Sequence, residues 1–475
     1  MTIEGGILGP TIEAPADPRT EAMQAIDLIL NLLSDEVDHP EVWPLLPALA
    51  AENPSFETLL YDRTNETSDP HGKLKLCVLI GLVRSATSSP QLVFDQLRSI
   101  SIDASHNVQI QGALFYIESL IDPDNEKFNL SERFCLKPFT ELNVLEGSTH
   151  LCCASWLPQS TGDMTKLSAD HIWNGSAAQA IRASIMDGTY RFCNKRTCPA
   201  IQQATLPSAK LVAADPKWSK YINSSQSIIS EQPEMINLSY DRTCNLSCPS
   251  CRTGRYAADE ITRQRYDNMQ EEKILPMLKY AKSVYITGSG DPFSSKNFRS
   301  IITKLSAEKY PNLKFILMTN GMLFTPRQWD AFPSLHNRVD SLHISLDAAR
   351  GPTHELLRRG AKWSVMEDNL AFAARLYRDG LIDNLCLSFT VQQENYREVG
   401  EFVDLAHRIG ANRVYFGLVT NWGAFSIDEY RRKAVFDPAH PEHDDFVAHM
   451  QDTRLRDAIV APSNLNDFMM PVAES

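Results

Sequence analysis

Six short apolar segments alternate with helical segments between residues 233 and 425, and this alternation constrains the fold more than any other feature of the chain. The segments are MINLSYD, SVYITGS, KFILMTN, SLHISLD, LCLSFTV and RVYFGLV. Short apolar runs bounded by turn residues are typical of parallel strands buried on both faces. Six strand–helix units predict an α/β fold, either a partial or full β/α barrel or a doubly wound sheet. In such folds, functional groups gather at the carboxyl ends of the strands.

Three cysteines with the spacing CxxxCxxC follow the first predicted strand. They are Cys244, Cys248 and Cys251, and the nearest other cysteines in sequence are Cys198 and Cys386. A structural zinc site requires four ligands, usually arranged as two pairs. Three thiolates instead suit a 4Fe–4S cluster whose fourth iron can bind a further ligand. A zinc or purely structural role is the alternative.

Length and charge exclude several classes of protein. The chain of 475 residues is long enough for two or three domains. Its net charge of −13 argues against nucleic-acid binding, and residues 1–130, with 20 acidic and 7 basic side chains, carry all of it. We find no apolar run that could span a membrane and no secretory signal, so we expect a cytoplasmic protein. In a reducing compartment, clustered cysteines are metal ligands more often than disulfides.

We predict four regions. Residues 1–130 form a helical N-terminal region, with candidate helices in EAMQAIDLILNLL, KLKLCVLIGLV and NVQIQGALFYIESLI. Residues 131–230 form a cysteine-rich, loop-rich module stapled by metal. Residues 233–425 form the α/β core, and residues 426–475 are a C-terminal extension.

CxxxCxxC after the first strand of six β/α units resembles the radical S-adenosylmethionine (SAM) superfamily. TGSGDPF, residues 287–293, stands where that family carries a Gly-Gly-Glu-Pro-like segment that holds the methionyl ammonium of SAM. TNG ends the third strand, and SLD ends the fourth, where the family often binds the carboxylate or ribose. The resemblance implies these SAM-binding residues: Gly288, Ser289, Gly290, Asp291, Asn320, Ser345 and Asp347. Ser250 replaces the aromatic residue that often precedes the third cysteine in the family.

The resemblance implies an enzyme with a partial (β/α)6 barrel. A reduced 4Fe–4S cluster would cleave SAM to methionine and a 5′-deoxyadenosyl radical, which abstracts hydrogen from a substrate. An electron donor such as flavodoxin or ferredoxin is implied, with neither nucleic acid nor membrane as a partner. We expect a peptide or protein substrate; a small metabolite, such as a sugar or amino acid derivative, is the alternative. A non-catalytic Fe–S or zinc scaffold is a remote third possibility, and no catalytic residue is identifiable.

The cysteine-rich module contains a second pattern. CLKPFTELNVLEGSTHLCC has the spacing Cx11Gx4C, and IWNGSAAQAIRASIMDGTYRFCNKRTCP follows it. Together they resemble the SPASM/twitch module of radical SAM enzymes, which usually follows the barrel but precedes it here. The resemblance implies a second, auxiliary 4Fe–4S cluster for electron transfer, with four ligands: Cys135, Cys152, Cys193 and Cys198. Cys153 could replace Cys152 or be a buried thiol, and a structural zinc is the alternative.

Some further residues have a predicted role. Most of the arginines near the cysteines should be solvated, namely Arg242, Arg252, Arg255, Arg263 and Arg265. Arg252 and Arg255 could still meet a carboxylate or phosphate of SAM or substrate. Asn421 and Trp422 could face the substrate. Three histidines in residues 437–450 suggest a surface helix rather than a metal site. Cys77 and Cys386 should be core residues.

Overall fold

The computed structural model describes residues 23, 24, 26, 27, 56–66, 76, 79, 80, 83, 129–195, 198–421, 423–461 and 463–469. The chain divides into two compact units, Met1–Asn125 and Glu126–Ser475. In the first unit the structure describes a helix, α1, over Phe56–Glu66. The predicted helix NVQIQGALFYIESLI and Cys77 lie outside the described residues, as do most residues of the other two candidate helices. The domain boundaries stay a prediction.

Helices, most of them short, occur throughout the second unit. Before the α/β core they are α2 to α7: Lys137–Thr140, Ala169–Asn174, Ser176–Met186, Pro199–Gln202, Ala209–Ala213 and Pro216–Ser224. In the core they are α8 to α14: Glu260–Met269, Leu275–Leu278, Lys296–Lys304, Pro326–Asp330, Gly351–Leu357, Trp363–Arg378 and Val399–Ile409. The last three, α15 to α17, are Ile427–Lys433, His443–His449 and Asn466–Met469. A π-helical turn, Gln270–Ile274, joins α8 to α9, and 3-10 turns cover Pro333–Leu335, Tyr396–Glu398 and Thr453–Arg456.

One sheet of nine strands organises the second unit. The strands β1 to β9 are Glu141–Leu145, Ser148–His150, Met235–Ser239, Ser283–Ile286, Lys314–Thr319, Val339–Ser345, Leu385–Val391, Arg413–Leu418 and Val460–Ala461. Their order is β2-β1-β3-β4-β5-β6-β7-β8-β9, and every neighbouring pair except β1–β2 is parallel. The six predicted strands are β3 to β8. The predicted α/β class with a parallel sheet is therefore confirmed.

The expectation that these strands are buried on both faces is confirmed for β7, where only Thr390 is half-buried, and is wrong for most of the other strands. One face packs against helices: Phe389 and Phe416 contact Phe402 of α14 with ring centroids 4.8 and 5.8 Å apart. On the second face many of the alternate side chains are half-buried or exposed. They include Asn237, Tyr285, Ile316, Met318, His343, Ser345 and Tyr415. Polar residues interrupt the apolar runs at these positions because the second face is accessible to solvent.

The cysteine-rich segment is continuous with the sheet. β1 pairs in parallel with β3 over five residues, from Glu141↔Met235 to Leu145↔Ser239, and the buried side chains of the segment join the core of the sheet. The pattern IWNG…IR is structural here. Arg182, fully buried, donates to the Pro138 carbonyl at 2.9 Å and lies 4.6 Å from the Trp173 ring centroid.

No helix among the described residues combines the length and apolar character needed to cross a membrane.

Candidate functional site

The cysteine loop lies directly beyond the carboxyl end of β3, where the sequence places it. Cys248 is buried and Cys244 and Cys251 are half-buried, and all three pack around Leu246 and Ala361 in one small cluster. Burial, followed by the nearby Asp291 carboxylate, raises the pKa of Cys244 to about 11. Burial also raises the pKa of Cys248. Thiols in such surroundings are best stabilised as thiolates by a metal centre, because coordination displaces the proton.

Each sulfur of the loop accepts hydrogen bonds from nitrogen donors. Arg252 donates from Nη2 and Nε to Cys251 Sγ at 3.2 and 3.4 Å. The Cys244 sulfur accepts from Leu246 N and Asn320 Nδ2, both at 3.5 Å. Arg358 Nη1 lies 3.9 Å from Cys248 Sγ. Such N–H···S contacts stabilise negative charge on sulfur.

Arg252 is 7 % exposed and acts as a clamp inside the protein. Besides Cys251, its guanidinium donates to the backbone carbonyls of Arg242, at 2.5 Å, and of Ser289. These bonds tie the cysteine loop to the TGSGD segment after β4. Because the donors are engaged internally, the suggestion that Arg252 meets a carboxylate or phosphate of a ligand finds no support in this arrangement.

Asp291 is buried completely and joins two strand ends. One carboxylate oxygen accepts from the backbone N–H of Phe293 and Ser294, at 3.0 and 3.2 Å. The other accepts from Thr319 Oγ1 at 2.6 Å and Asn320 N at 3.0 Å. Burial raises the pKa of this carboxyl group although these bonds work against it. With all four contacts directed inward, Asp291 organises the segment rather than facing a ligand.

The rest of the predicted SAM-binding set divides in two. Within the described residues, the carbonyl oxygens of Gly288 and Gly290 and the half-buried hydroxyl of Ser345 accept or donate no hydrogen bond, so they remain available to a ligand. Ser289 Oγ, in contrast, donates to Ser239 O at 2.5 Å. Asn320 Nδ2 also bonds Asn245 Oδ1 at 2.9 Å and so holds the cysteine loop.

Asp347 is engaged in the same way as Asp291. Its carboxylate pairs with Arg358 Nη2 at 2.7 Å and accepts from Thr390 N at 2.8 Å, and its side chain is 3 % exposed. Asp347 has a left-handed backbone conformation, φ 59°, and Asn395 Nδ2 bonds its carbonyl at 2.8 Å. The carboxylate therefore fixes the chain after β6 and the position of Arg358.

The loop residues fit a 4Fe–4S cluster. Within the described part of the chain, no three His, Cys, Asp or Glu side chains are arranged as ligands of one metal ion. A cubane binds each thiolate through a different iron, so its ligands are spread rather than convergent. Three neighbouring thiols, nitrogen donors to each sulfur and two arginines match the donor set and charge of such a cluster.

The second set of cysteines also comes together. Burial raises the pKa of Cys135 to about 11 and also raises the pKa of Cys152 and Cys193, and in each case charges on neighbouring cysteines add to the effect. Cys198 is one of these neighbours, acting on Cys135 and Cys193. Lys137, paired with Glu141 at 2.9 Å, also acts electrostatically on Cys135 and Cys152. Lys137 therefore places a positive charge near Cys135 and Cys152.

Cys153 is turned away from that set. It lies near Tyr285 and Tyr415 on the second face of the sheet, where it and Cys386 add to the effect of burial in raising the pKa of both phenols. His343 stands on the same face, with its ring centroid 6.3 Å from that of Tyr285. Cys152, in contrast, interacts electrostatically with Cys135 and Cys193. The choice of Cys152 as the ligand stays a prediction.

His343 should make stability depend on pH. Burial, with a smaller contribution from Arg413, lowers its pKa to about 4, whereas an unfolded histidine titrates near 6.5. Between these values the unfolded chain binds more protons, so stability falls as the pH drops from about 6.5 towards 4. We expect His343→Gln to reduce this loss by on the order of 2 kcal/mol, measured by urea unfolding at pH 7 and pH 4.5. Equal losses in both proteins would contradict the assignment.

The remaining predicted residues are placed as follows. Arg242 pairs with Glu146 at 3.8 Å, and Arg255 is exposed. Asn421 closes a turn, with its side chain bonding Gly423 and Phe425, while Trp422 lies outside the described residues. The three histidines of residues 437–450 each bond a backbone carbonyl: His440, His443 and His449. Cys386 is buried, as predicted.

Sequence reasoning missed Arg358 and the polar and aromatic side chains on the second face of the sheet. Arg358 is the C-cap of α12 and is adjacent to Arg359 in sequence, so no local signal distinguishes the two. The side chains of the second face had a signal, because residues such as Tyr285, His343 and Tyr415 alternate with apolar ones along β4, β6 and β8.

The fold and the site define a class of protein: six α/β units with a cysteine loop at the carboxyl end of the first core strand. Comparison with sequence models of protein families identifies a similar family. Residues 238–406 match the sequence model of the Radical SAM superfamily. Over these residues the chain is therefore similar to the Radical SAM superfamily. Comparison with curated proteins finds no match.

Solved structures similar to this chain are distant. SuiB of Streptococcus suis bound to precursor peptide SuiA is 13% identical with a TM-score of 0.35, covering 51% of this chain and 52% of SuiB. TYW1 with a lysine-pyruvate adduct bound is 15% identical with a TM-score of 0.30, covering 47% and 74%. AnSMEcpe with bound AdoMet and Kp18Cys peptide is 16% identical with a TM-score of 0.29, covering 42% and 57%. The similarity thus spans about half the length of SuiB, and likeness of this degree does not bear on function.

Proposed function

We propose that the protein is a radical SAM enzyme that binds a 4Fe–4S cluster through Cys244, Cys248 and Cys251. When bound, such a cluster supplies the electron that cleaves SAM to methionine and a 5′-deoxyadenosyl radical. The observation that carries the proposal is the cysteine loop itself, in which every sulfur accepts a nitrogen donor. The loop is bonded to the two segments that follow β4 and β5.

The chain's own residues would position SAM from three strand ends. The carbonyl oxygens of Gly288 and Gly290 are suited to the methionyl ammonium, and the hydroxyl of Ser345 to the carboxylate or ribose. Asp291 and Asp347 would act indirectly, by holding these strand ends in place. Ser289 and Asn320 would likewise orient the cysteine loop.

The substrate would bind on the second face of the sheet, inside a partial β/α barrel. Its half-buried Tyr285 and His343 and its exposed Tyr415 are uncharged at neutral pH and offer hydrogen bonds and aromatic surface. Such a lining suits a peptide segment, which presents uncharged amides. A small metabolite is the second candidate, because the same hydroxyl and imidazole groups can bond a small polar molecule.

We further propose an auxiliary 4Fe–4S cluster on Cys135, Cys152, Cys193 and Cys198, within a SPASM/twitch-like module of residues 131–230. Four cysteines would leave no iron free for substrate, so electron transfer is the fitting role. Lys137 supports an anionic centre at this position. A structural zinc ion on the same four cysteines is the alternative.

The test compares Cys244→Ala with Cys193→Ala after anaerobic reconstitution. We expect about eight irons per native chain and about four in each variant, because each site holds a four-iron cluster. With dithionite and SAM, Cys193→Ala should still form 5′-deoxyadenosine and Cys244→Ala should form none.

Cys386→Ala is the matched control, because Cys386 is buried but belongs to neither set. It should keep the native iron content and cleavage. Formation of 5′-deoxyadenosine by Cys244→Ala would exclude the proposed function, and zinc in place of half of the iron would exclude the auxiliary cluster alone.

A further inference from the structure

Two arginines contact the sulfurs of the cysteine loop, and they are held in different ways. Arg252 belongs to the loop and bonds backbone carbonyls on two sides, so its loss would disturb the loop itself. Arg358 lies outside the loop, at the C-cap of α12. The described polar contacts of its guanidinium are to side chains, namely the Asp347 carboxylate at 2.7 Å and Cys248 Sγ at 3.9 Å.

The ion pair between Arg358 and Asp347 is shielded from solvent. The side chains are 15% and 3% exposed, so water and salt screen their fields weakly. The two charges do not cancel at Cys248, because the guanidinium reaches the sulfur through Nη1 and the carboxylate through Nη2, so it contacts the sulfur directly. The pair is therefore a fixed dipole with its positive end towards the sulfur.

We propose that Arg358 is a positioning residue that raises the reduction potential of the cluster by presenting a buried positive charge to Cys248. The inference rests on the proposed function. When a one-electron donor reduces the cluster, the centre becomes more negative by one charge, and a cation beside one ligand stabilises the reduced form over the oxidised form. Arg358 would thereby make reduction easier for a given donor.

The test is a redox titration of the reconstituted full chain with dithionite, without SAM, followed by electron paramagnetic resonance. The signal of interest is the one that Cys244→Ala removes. We expect Arg358→Gln to lower the ratio of reduced to oxidised cluster at a fixed potential about tenfold, equivalent to about 59 mV for one electron. Arg358→Lys keeps the charge and should stay within about threefold of the native ratio.

Arg359→Gln is the matched control. Arg359 also bonds the cysteine loop, through Ser247 Oγ at 3.1 Å and Thr253 O at 3.0 Å, but it contacts no sulfur among the described residues. The ratio of reduced to oxidised cluster in Arg359→Gln should equal the native ratio. Asp347→Asn removes the opposing charge and should raise the ratio, which gives a second measurement should Arg358→Gln fail to retain its cluster.

The outcomes separate cleanly. A native ratio in Arg358→Gln, equal losses in the Gln and Lys variants, or no rise in Asp347→Asn would each overturn the inference, because none depends on the sign of the charge. Failure of the proposed function would be distinct: Cys244→Ala would then keep the native iron content and spectrum.

Discussion

Gly290→Ala should prevent the loop of Cys244, Cys248 and Cys251 from holding iron. A Cβ atom at Gly290 would lie 2.3 Å from Asp241 O and 2.7 Å from Thr243 O. Both are backbone atoms of the segment that leads into the loop, so they cannot rotate away. The added methyl group must separate the two segments and break the bond from Asp291 N to Thr243 O, now 2.9 Å.

We expect Gly290→Ala to lose about 3 kcal/mol of stability, at the upper end of typical overpacking costs, and to bind about four irons fewer per chain. The measurements are urea unfolding of the apoprotein and iron content after reconstitution. Gly254→Ala is the control, because its Cβ would meet nothing within 4 Å. The same substitution there should cost less than about 0.5 kcal/mol. Equal iron binding by the two variants would show that this close approach is not required.

Asp291→Asn should destabilise the protein by about 2–4 kcal/mol. The carboxylate accepts four hydrogen bonds and is completely buried. The NH2 group of the asparagine amide must point at one pair of these four donors. At least one backbone N–H of that pair then faces a donor instead of an acceptor and is left without a partner. Leaving a buried donor unsatisfied costs its desolvation energy.

The same variant distinguishes two roles of Asp291. If the carboxylate organises the strand ends, stability and SAM affinity should fall together, as measured by urea unfolding and by equilibrium binding of SAM to the reconstituted protein. If instead it bound the ammonium directly, affinity would fall while stability held. Asp330→Asn is the control, because Asp330 is exposed and makes no ion pair within the described chain; it should change neither quantity.

The sequence predicted the six core strands well because each is a compact apolar run with turn residues at its ends. It did not predict β1, whose partner β3 lies about 90 residues away. Pairing over such a distance depends on the whole fold, and ELNVL has no apolar run to mark it. The assumption of two buried faces failed for a related reason, since burial of the alternate positions depends on what covers the sheet.

The sequence predicted the grouping of the three loop cysteines better than it predicted the contacts of the two carboxylates. CxxxCxxC fixes a local chemistry by spacing alone. Asp291 and Asp347 occupy expected positions, but their oxygens are engaged by backbone N–H groups and by Arg358, which no sequence pattern reveals. Arg358 and Arg359 are neighbours in sequence, yet only the fold decides that the first reaches a sulfur and the second reaches Ser247 Oγ and Thr253 O.

The strands β1 and β9 bear on which part of the chain can fold by itself. β1 covers the outer edge of β3 and β9 covers that of β8, and neither belongs to the six core strands β3 to β8. A fragment limited to these six strands and the helices between them would present two unpaired parallel edges, which invite pairing with other chains. The cysteine-rich segment thus protects one edge of the core sheet from pairing with other chains, in addition to carrying the cysteines. Because it attaches beside the first core strand, it can precede the core in the chain without a long connection.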